Sequence, residues 1–135
     1  MFFQSGVMHL NHGDTVPYLT FDSLSEIKFI RHAFSTRLGG VSTGEFTSMN
    51  LAFNRGDDPA CVTENYRRLC ESAGLDFSSL VASAQDHHTC VRAVTAAEKG
   101  IGIVKPRDRE SVDALITNEP GVTLVTYYAD CTPLF

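Results

Sequence analysis

The chain has 135 residues, 43% apolar and 20% charged, with a formal net charge of −5. That is ordinary globular composition, enough for one modest core. The basic residues are scattered, with Arg67-Arg68 the only adjacent pair, which argues against nucleic-acid binding through a basic face, and no apolar run is long enough to span a membrane.

The start, Met1-Phe2-Phe3-Gln4, has no basic stretch ahead of an apolar one, unlike a secretory signal. A cytoplasmic location is the expectation, so most of Cys61, Cys70, Cys90 and Cys131 should be reduced thiols. The first three read as small buried or half-buried apolar residues. Residues 1–19 carry little pattern, and His9 and His12 read better as part of a mobile N-terminal segment than as a metal pair. Residues 29–35 are a candidate strand that runs into a polar loop at 36–44, where Gly39-Gly40 permits positive φ.

A helix is predicted over residues 59–73. Asp58 can cap it and Pro59 suits its first position. Val62, Tyr66, Leu69 and Ala73 share one face, and Gly74 is placed to end it. The pattern then turns to β, with strands expected at 80–84, 89–94, 101–104, 112–116 and 122–128 and a turn at Asn118-Glu119-Pro120-Gly121. The last strand is rich in β-branched and aromatic residues, as a buried central strand would be. With no repeat or linker, these elements predict a single domain over 1–135. Its class is α/β (α+β), with mixed β-sheets and flanking helices. The apolar Pro133-Leu134-Phe135 directly beyond that strand reads as the edge of a fragment.

Three places can carry chemistry. Gln85-Asp86-His87-His88-Thr89 falls between two expected strands, where a sheet can fix the geometry of a site. Imidazole and thiolate both suit zinc, so His87 or His88 with Cys131 can supply two ligands, one short of a catalytic site. A solvated His-His loop is the plainer alternative. Cys131 is open between a buried thiol, a metal ligand and a nucleophile that a neighbouring base would activate. Arg37, beside Gly39-Gly40, can cradle an anion with its guanidinium and nearby amides, or stand as an exposed loop arginine.

Taken in order, these segments resemble the YfiH-like family, also called the laccase-domain or multicopper polyphenol oxidoreductase family. The matching blocks begin with His32-Ala33-Phe34-Ser35-Thr36-Arg37-Leu38-Gly39-Gly40-Val41-Ser42. Met49-Asn50-Leu51 and Arg55-Gly56-Asp57-Asp58-Pro59 follow, then the helix with Glu64-Asn65, and Gln85-Asp86-His87. Asp113-Ala114-Leu115-Ile116-Thr117-Asn118 and Ala129-Asp130-Cys131-Thr132-Pro133 complete the set. The resemblance implies the YfiH-like fold and a zinc site of the His-Cys-His kind. His87 would be its first ligand and Cys131 its second, with a third His in a block absent from these residues. It also implies phosphorolysis of purine nucleosides, adenosine deamination and phosphorolysis of methylthioadenosine. Arg37 would take phosphate, Asn50 ribose or phosphate, and Asp130 would orient a ligand from behind; His88 would line the pocket. Alternatives are copper-dependent phenol oxidation and a cysteine hydrolase or deamidase built on Cys131 and His87. Cell-wall-precursor editing and a metal-binding module without turnover also stand open, as does the oligomeric state.

Overall fold

A computed structural model describes residues 6–132. The ends Met1–Gln4 and Pro133–Phe135, on which two sequence expectations rest, lie outside that range. The chain divides into two compact units, one ending at Leu75 and the other beginning at Asp76. Among the described residues no helix is long and apolar enough to cross a membrane.

In the first unit, β1 (Met8–Asn11), β2 (Tyr18–Phe21) and β3 (Phe34–Ser35) form an antiparallel sheet in the order β1-β2-β3. Met8 pairs with Phe21 and Asn11 with Tyr18, while Tyr18 pairs with Ser35. The patternless start is therefore a hairpin, and His9 belongs to a strand, where it lies 3.3 Å from Asp22. Four-residue strands are too short to show clear alternation; cross-strand pairing makes them strands. The expected strand over 29–35 shrinks to its last two residues. After the single turn α1 (Asp22–Ser25) the chain is still turning, with the Ile30 amide bonded to the Ile27 carbonyl, and Phe29 is 91% exposed. His32 instead accepts the Phe21 amide through Nε2 at 2.7 Å and stacks on the Phe21 ring. Burial pushes its pKa down. The neutral ring keeps the lone pair that the amide needs.

Helix α2 (Pro59–Ala73) lies where the sequence predicts it. Asp58 Oδ1 accepts the Ala60 amide at 2.8 Å, and Pro59 begins the first turn. At the other end Gly74 takes φ +63, and the Leu75 amide returns to the Cys70 carbonyl at 2.8 Å. The buried face carries Val62, Tyr66 and Ala73 as expected, but Asn65 and Cys70 complete it and Leu69 is only half-buried.

Asn65 has no exposed surface. Its Oδ1 accepts the Val41 amide at 2.7 Å. Its Nδ2 donates to Ser42 Oγ at 2.9 Å, to the Asn50 carbonyl at 2.8 Å and to the Ser48 carbonyl at 3.3 Å. One helix side chain thus satisfies much of an irregular segment that lacks a sheet ladder. A Cβ on Gly40 would come within 2.0 Å of the Ser48 carbonyl oxygen and 2.7 Å of Asn65 Oδ1. Only glycine fits that approach.

In the second unit, β4 (Leu80–Ala82) is fully buried and pairs parallel with β7 (Thr123–Val125). β5 (Val91–Ala93) pairs parallel with β6 (Ala114–Ile116), and Ala84 bridges Val112 in antiparallel register. The buried strand is β4. β7, expected to be buried and central, is half-buried, with β4 as its one strand partner among the described residues. Cys90 precedes β5 and is exposed, against the expectation of a small buried residue; Cys61 is half-buried and Cys70 buried. The expected strand over 101–104 is a turn, in which the amides of Ile103, Val104 and Lys105 all converge on the Gly100 carbonyl. Gly100 and Gly102, at φ +91 and +82, make that wrap accessible where the apolar pattern alone reads as β. The expected turn at 118–121 is present.

Arg92 ties this unit together. Its side chain is half-buried, ion-paired with Glu98 and held by both oxygens of Asp108 at 2.7 Å. Those Arg92 hydrogen bonds draw the Asp108 pKa from its ordinary 3.8 down to about 2.

Asn65→Ala leaves the Val41 amide and the Asn50 carbonyl without their buried partner. It should cost about 3 kcal/mol in urea unfolding; a loss under about 1 kcal/mol would show that the segment does not depend on it. A carboxyl with a lowered folded pKa stabilises at pH above its unfolded value, and that contribution disappears as pH falls through the folded one. Asp108→Asn should therefore flatten the fall in melting temperature between about pH 4 and pH 2. An unchanged slope would mean that the pair contributes nothing.

Candidate active site

The loop 85–89 leaves the end of the buried strand region and returns at β5. Both of its ends are fixed to one neighbouring stretch of chain. Before the loop, Ala84 and Val112 exchange backbone bonds of 3.1 and 2.9 Å; after it, the Asp113 and Ala114 amides donate to the Cys90 carbonyl. Between these two ties sits the Asp113 carboxylate. Its Oδ1 accepts the amides of Asp86 at 3.2 Å and His88 at 3.0 Å, and its Oδ2 accepts that of Cys90 at 3.2 Å. Desolvation pushes this carboxyl up, yet the amides of Cys90, Asp86, His88 and His87 together hold its pKa below the ordinary value. His87, at the centre, adopts φ +68, a left-handed conformation rare for a side chain of its size.

His87, His88, Asp130 and Cys131 are all exposed. His88 Nε2 lies 4.0 Å from Asp86 Oδ2, and Asp86 Oδ1 accepts the Ser111 hydroxyl at 2.9 Å. Beside this loop opens a cleft of about 570 Å³ whose walls include Gln85, Asp86, Arg107, Arg109, Glu110 and Ser111. Asp108 also reaches it, with its charge already matched by Arg92. From sequence, Arg107 and Arg109 have no assigned role, and Asp113 opens one of the matched blocks without one. The charge-dense run Arg107-Asp108-Arg109-Glu110 was a visible signal for the first two.

In the first unit, Arg37 is exposed and holds its own loop. Its Nε donates to the Thr47 carbonyl at 2.8 Å and its Nη2 to the Glu45 carbonyl at 2.7 Å. Asn50 Nδ2 donates to Asp57 Oδ2 at 2.9 Å, and its Oδ1 accepts the Ala52 amide at 3.0 Å. Asp57 also accepts the Ser42 hydroxyl at 2.6 Å, and these bonds, Ser42 first and then Asn50, lower its pKa. Arg37 and Asn50 thus stand in a segment braced by their own hydrogen bonds.

The donor types of His87 and Cys131 suit zinc. Among the described residues, however, no three His, Cys, Asp or Glu side chains gather closely enough to hold a metal ion. These residues alone do not close such a site.

Residues 31–135 match the family model described as multi-copper polyphenol oxidoreductase laccase, a span that holds Arg37, Asn50, His87, His88 and Cys131. A purine nucleoside phosphorylase of Corynebacterium glutamicum is 36% identical over 108 residues, which are 78% of this chain and 41% of that protein. The purine nucleoside phosphorylase YlmD of Geobacillus stearothermophilus is 35% identical over 102 residues, 75% of this chain and 37% of that one. The crystal structure of Geobacillus YlmD superposes with a TM-score of 0.74 at 28% identity, covering 90% of this chain and 45% of that one. A hypothetical protein YfiH from Bacillus licheniformis shares the fold, with the same TM-score at 22% identity. This chain therefore spans less than half the length of these relatives. Its small sheets, one antiparallel and two parallel, and its single long helix form the α+β architecture of their N-terminal portion, and by the extent of the family match the chain belongs to the YfiH-like, multi-copper polyphenol oxidoreductase laccase family.

Proposed function

We propose that the protein is a purine nucleoside phosphorylase whose catalytic loop is 85–89. The observation that carries this reading is the family match across both candidate segments, with relatives that bear that name. Phosphate attacks the anomeric carbon of the nucleoside, the glycosidic bond to the base nitrogen breaks, and sugar phosphate and free base leave. The step needs a fixed cation for phosphate and polar groups for the sugar and base. Arg37, braced through Thr47 and Glu45, is the phosphate residue of this proposal, and Asn50 a contact to ribose or phosphate. His88 lines the pocket, and Asp130 orients a ligand residue from behind.

Zinc is the proposed metal, with His87 and Cys131 as two ligands and a third histidine from beyond these residues. Bound there, it would supply Lewis acidity and a water of lowered pKa. Adenosine deamination and phosphorolysis of methylthioadenosine are proposed as further reactions of the same site.

The full-length protein, incubated with adenosine and with inosine, should release free base only when phosphate is present, and His87→Ala should abolish that release. Conversion of adenosine to inosine without phosphate would report the deaminase reaction. Zinc-loaded protein that turns over neither nucleoside would overturn the proposal. Arg37→Ala should raise the KM for phosphate at least about tenfold, as expected for loss of a charge-assisted contact. An unchanged phosphate KM removes Arg37 from the site.

A further inference from the structure

We infer that Asp113 is a positioning residue, whose carboxylate gathers the amides of the 86–90 loop and so fixes the backbone from which His87 projects. This rests on the reading of His87 as a metal ligand. Three hydrogen bonds from alternate residues, Asp86, His88 and Cys90, run to the two oxygens of one side chain. Without Asp113 these amides have no partner in a sheet ladder, because strand pairing resumes only at Val91 with Ala114. The acceptor itself is tied into the backbone pairing on both sides. Val112 and Ala114, on either side of Asp113, are bonded to Ala84 and Cys90, which flank the loop. The span 84–90 is thus closed at both ends and pinned in the middle by one tripeptide, Val112-Asp113-Ala114.

That arrangement accounts for the φ of +68 at His87. A non-glycine residue stays in the left-handed region only when its surroundings over-determine it. Amides pointing inward to a common anion hold the backbone in that turn, and the histidine side chain is left outside, exposed. Both carboxylate oxygens are used, so the role is specific to an acceptor-only group of this length. Asn would present an NH2 to an amide N–H. Glu keeps the charge but moves it by one methylene.

The test uses the full-length protein and follows three quantities: amide hydrogen exchange of 86–90, zinc affinity, and the split between kcat and nucleoside KM. Asp113→Asn should speed exchange in the loop at least about tenfold while β4 keeps its protection. It should weaken zinc about 10- to 100-fold, as loss of a group that orients a ligand does, and lower kcat more than it raises KM. Asp113→Glu should fall between the two, since charge without position gives only partial restoration; it decides the matter if Asp113→Asn does not fold. Wild-type exchange in the loop of either folded variant overturns the inference. So does accelerated exchange spread evenly over the unit, which marks a merely structural residue. His87→Ala is measured in parallel. If it binds zinc as tightly as wild type, the ligand reading fails, and loop exchange alone then decides the role of Asp113.

Discussion

The amide of Asn65 has no exposed surface, and two amide hydrogens and one oxygen on a helix organise the irregular segment 41–50. A buried polar group is costly unless every bonding position is used, and here they are used on one serine hydroxyl and on backbone groups that have no ladder of their own. The network continues outward: Ser42 bonds Asp57, Asp57 accepts from Asn50, and Ser48 Oγ donates to the Arg37 carbonyl. Arg37 and Asn50 are therefore not independent loop residues. Their positions follow from α2, which is itself placed by Asp58 at one end and Gly74 at the other.

The second unit uses the same device with a charge in place of an amide. Asp113 accepts from a loop that strand pairing leaves unsatisfied, and its own backbone belongs to the pairing on both sides. In both units a rigid element lends one side chain to a segment without regular structure. Asn50, His87 and His88, among the residues proposed for chemistry, sit on the segments so braced. A site built this way is pre-organised at a cost already met in folding, which is what reactions that depend on positioning require.

Arg92 shows the limit of judging by charge alone. Among the described residues of the second unit it pairs with both Glu98 and Asp108, and so ties β5 to a wall of the cleft. Arg107 and Arg109 flank Asp108 in the sequence and line the open space instead. Arginines of one unit thus divide between structure and surface, and only their partners separate them.

The local features were legible from residue order. Asp58, Pro59 and Gly74 bound α2 because capping and left-handed closure are decided within a few residues. The turn at 118–121 was readable for the same reason, and the ordered motifs named the family. What tertiary structure decided was pairing. The hairpin of Met8–Asn11 with Tyr18–Phe21 has too few residues for a periodic signal, and the stretch 101–104 looks apolar enough for a strand until Gly100 and Gly102 wrap it into a turn. Burial was likewise decided at a distance, with β4 enclosed and β7 half-open despite its richer composition. Asp113 stood in a recognised motif without a role, because its work is to accept bonds from residues 23 to 27 positions away. Sequence order specifies which groups can bond locally; a contact across that separation exists only once the sheet has brought both ends together.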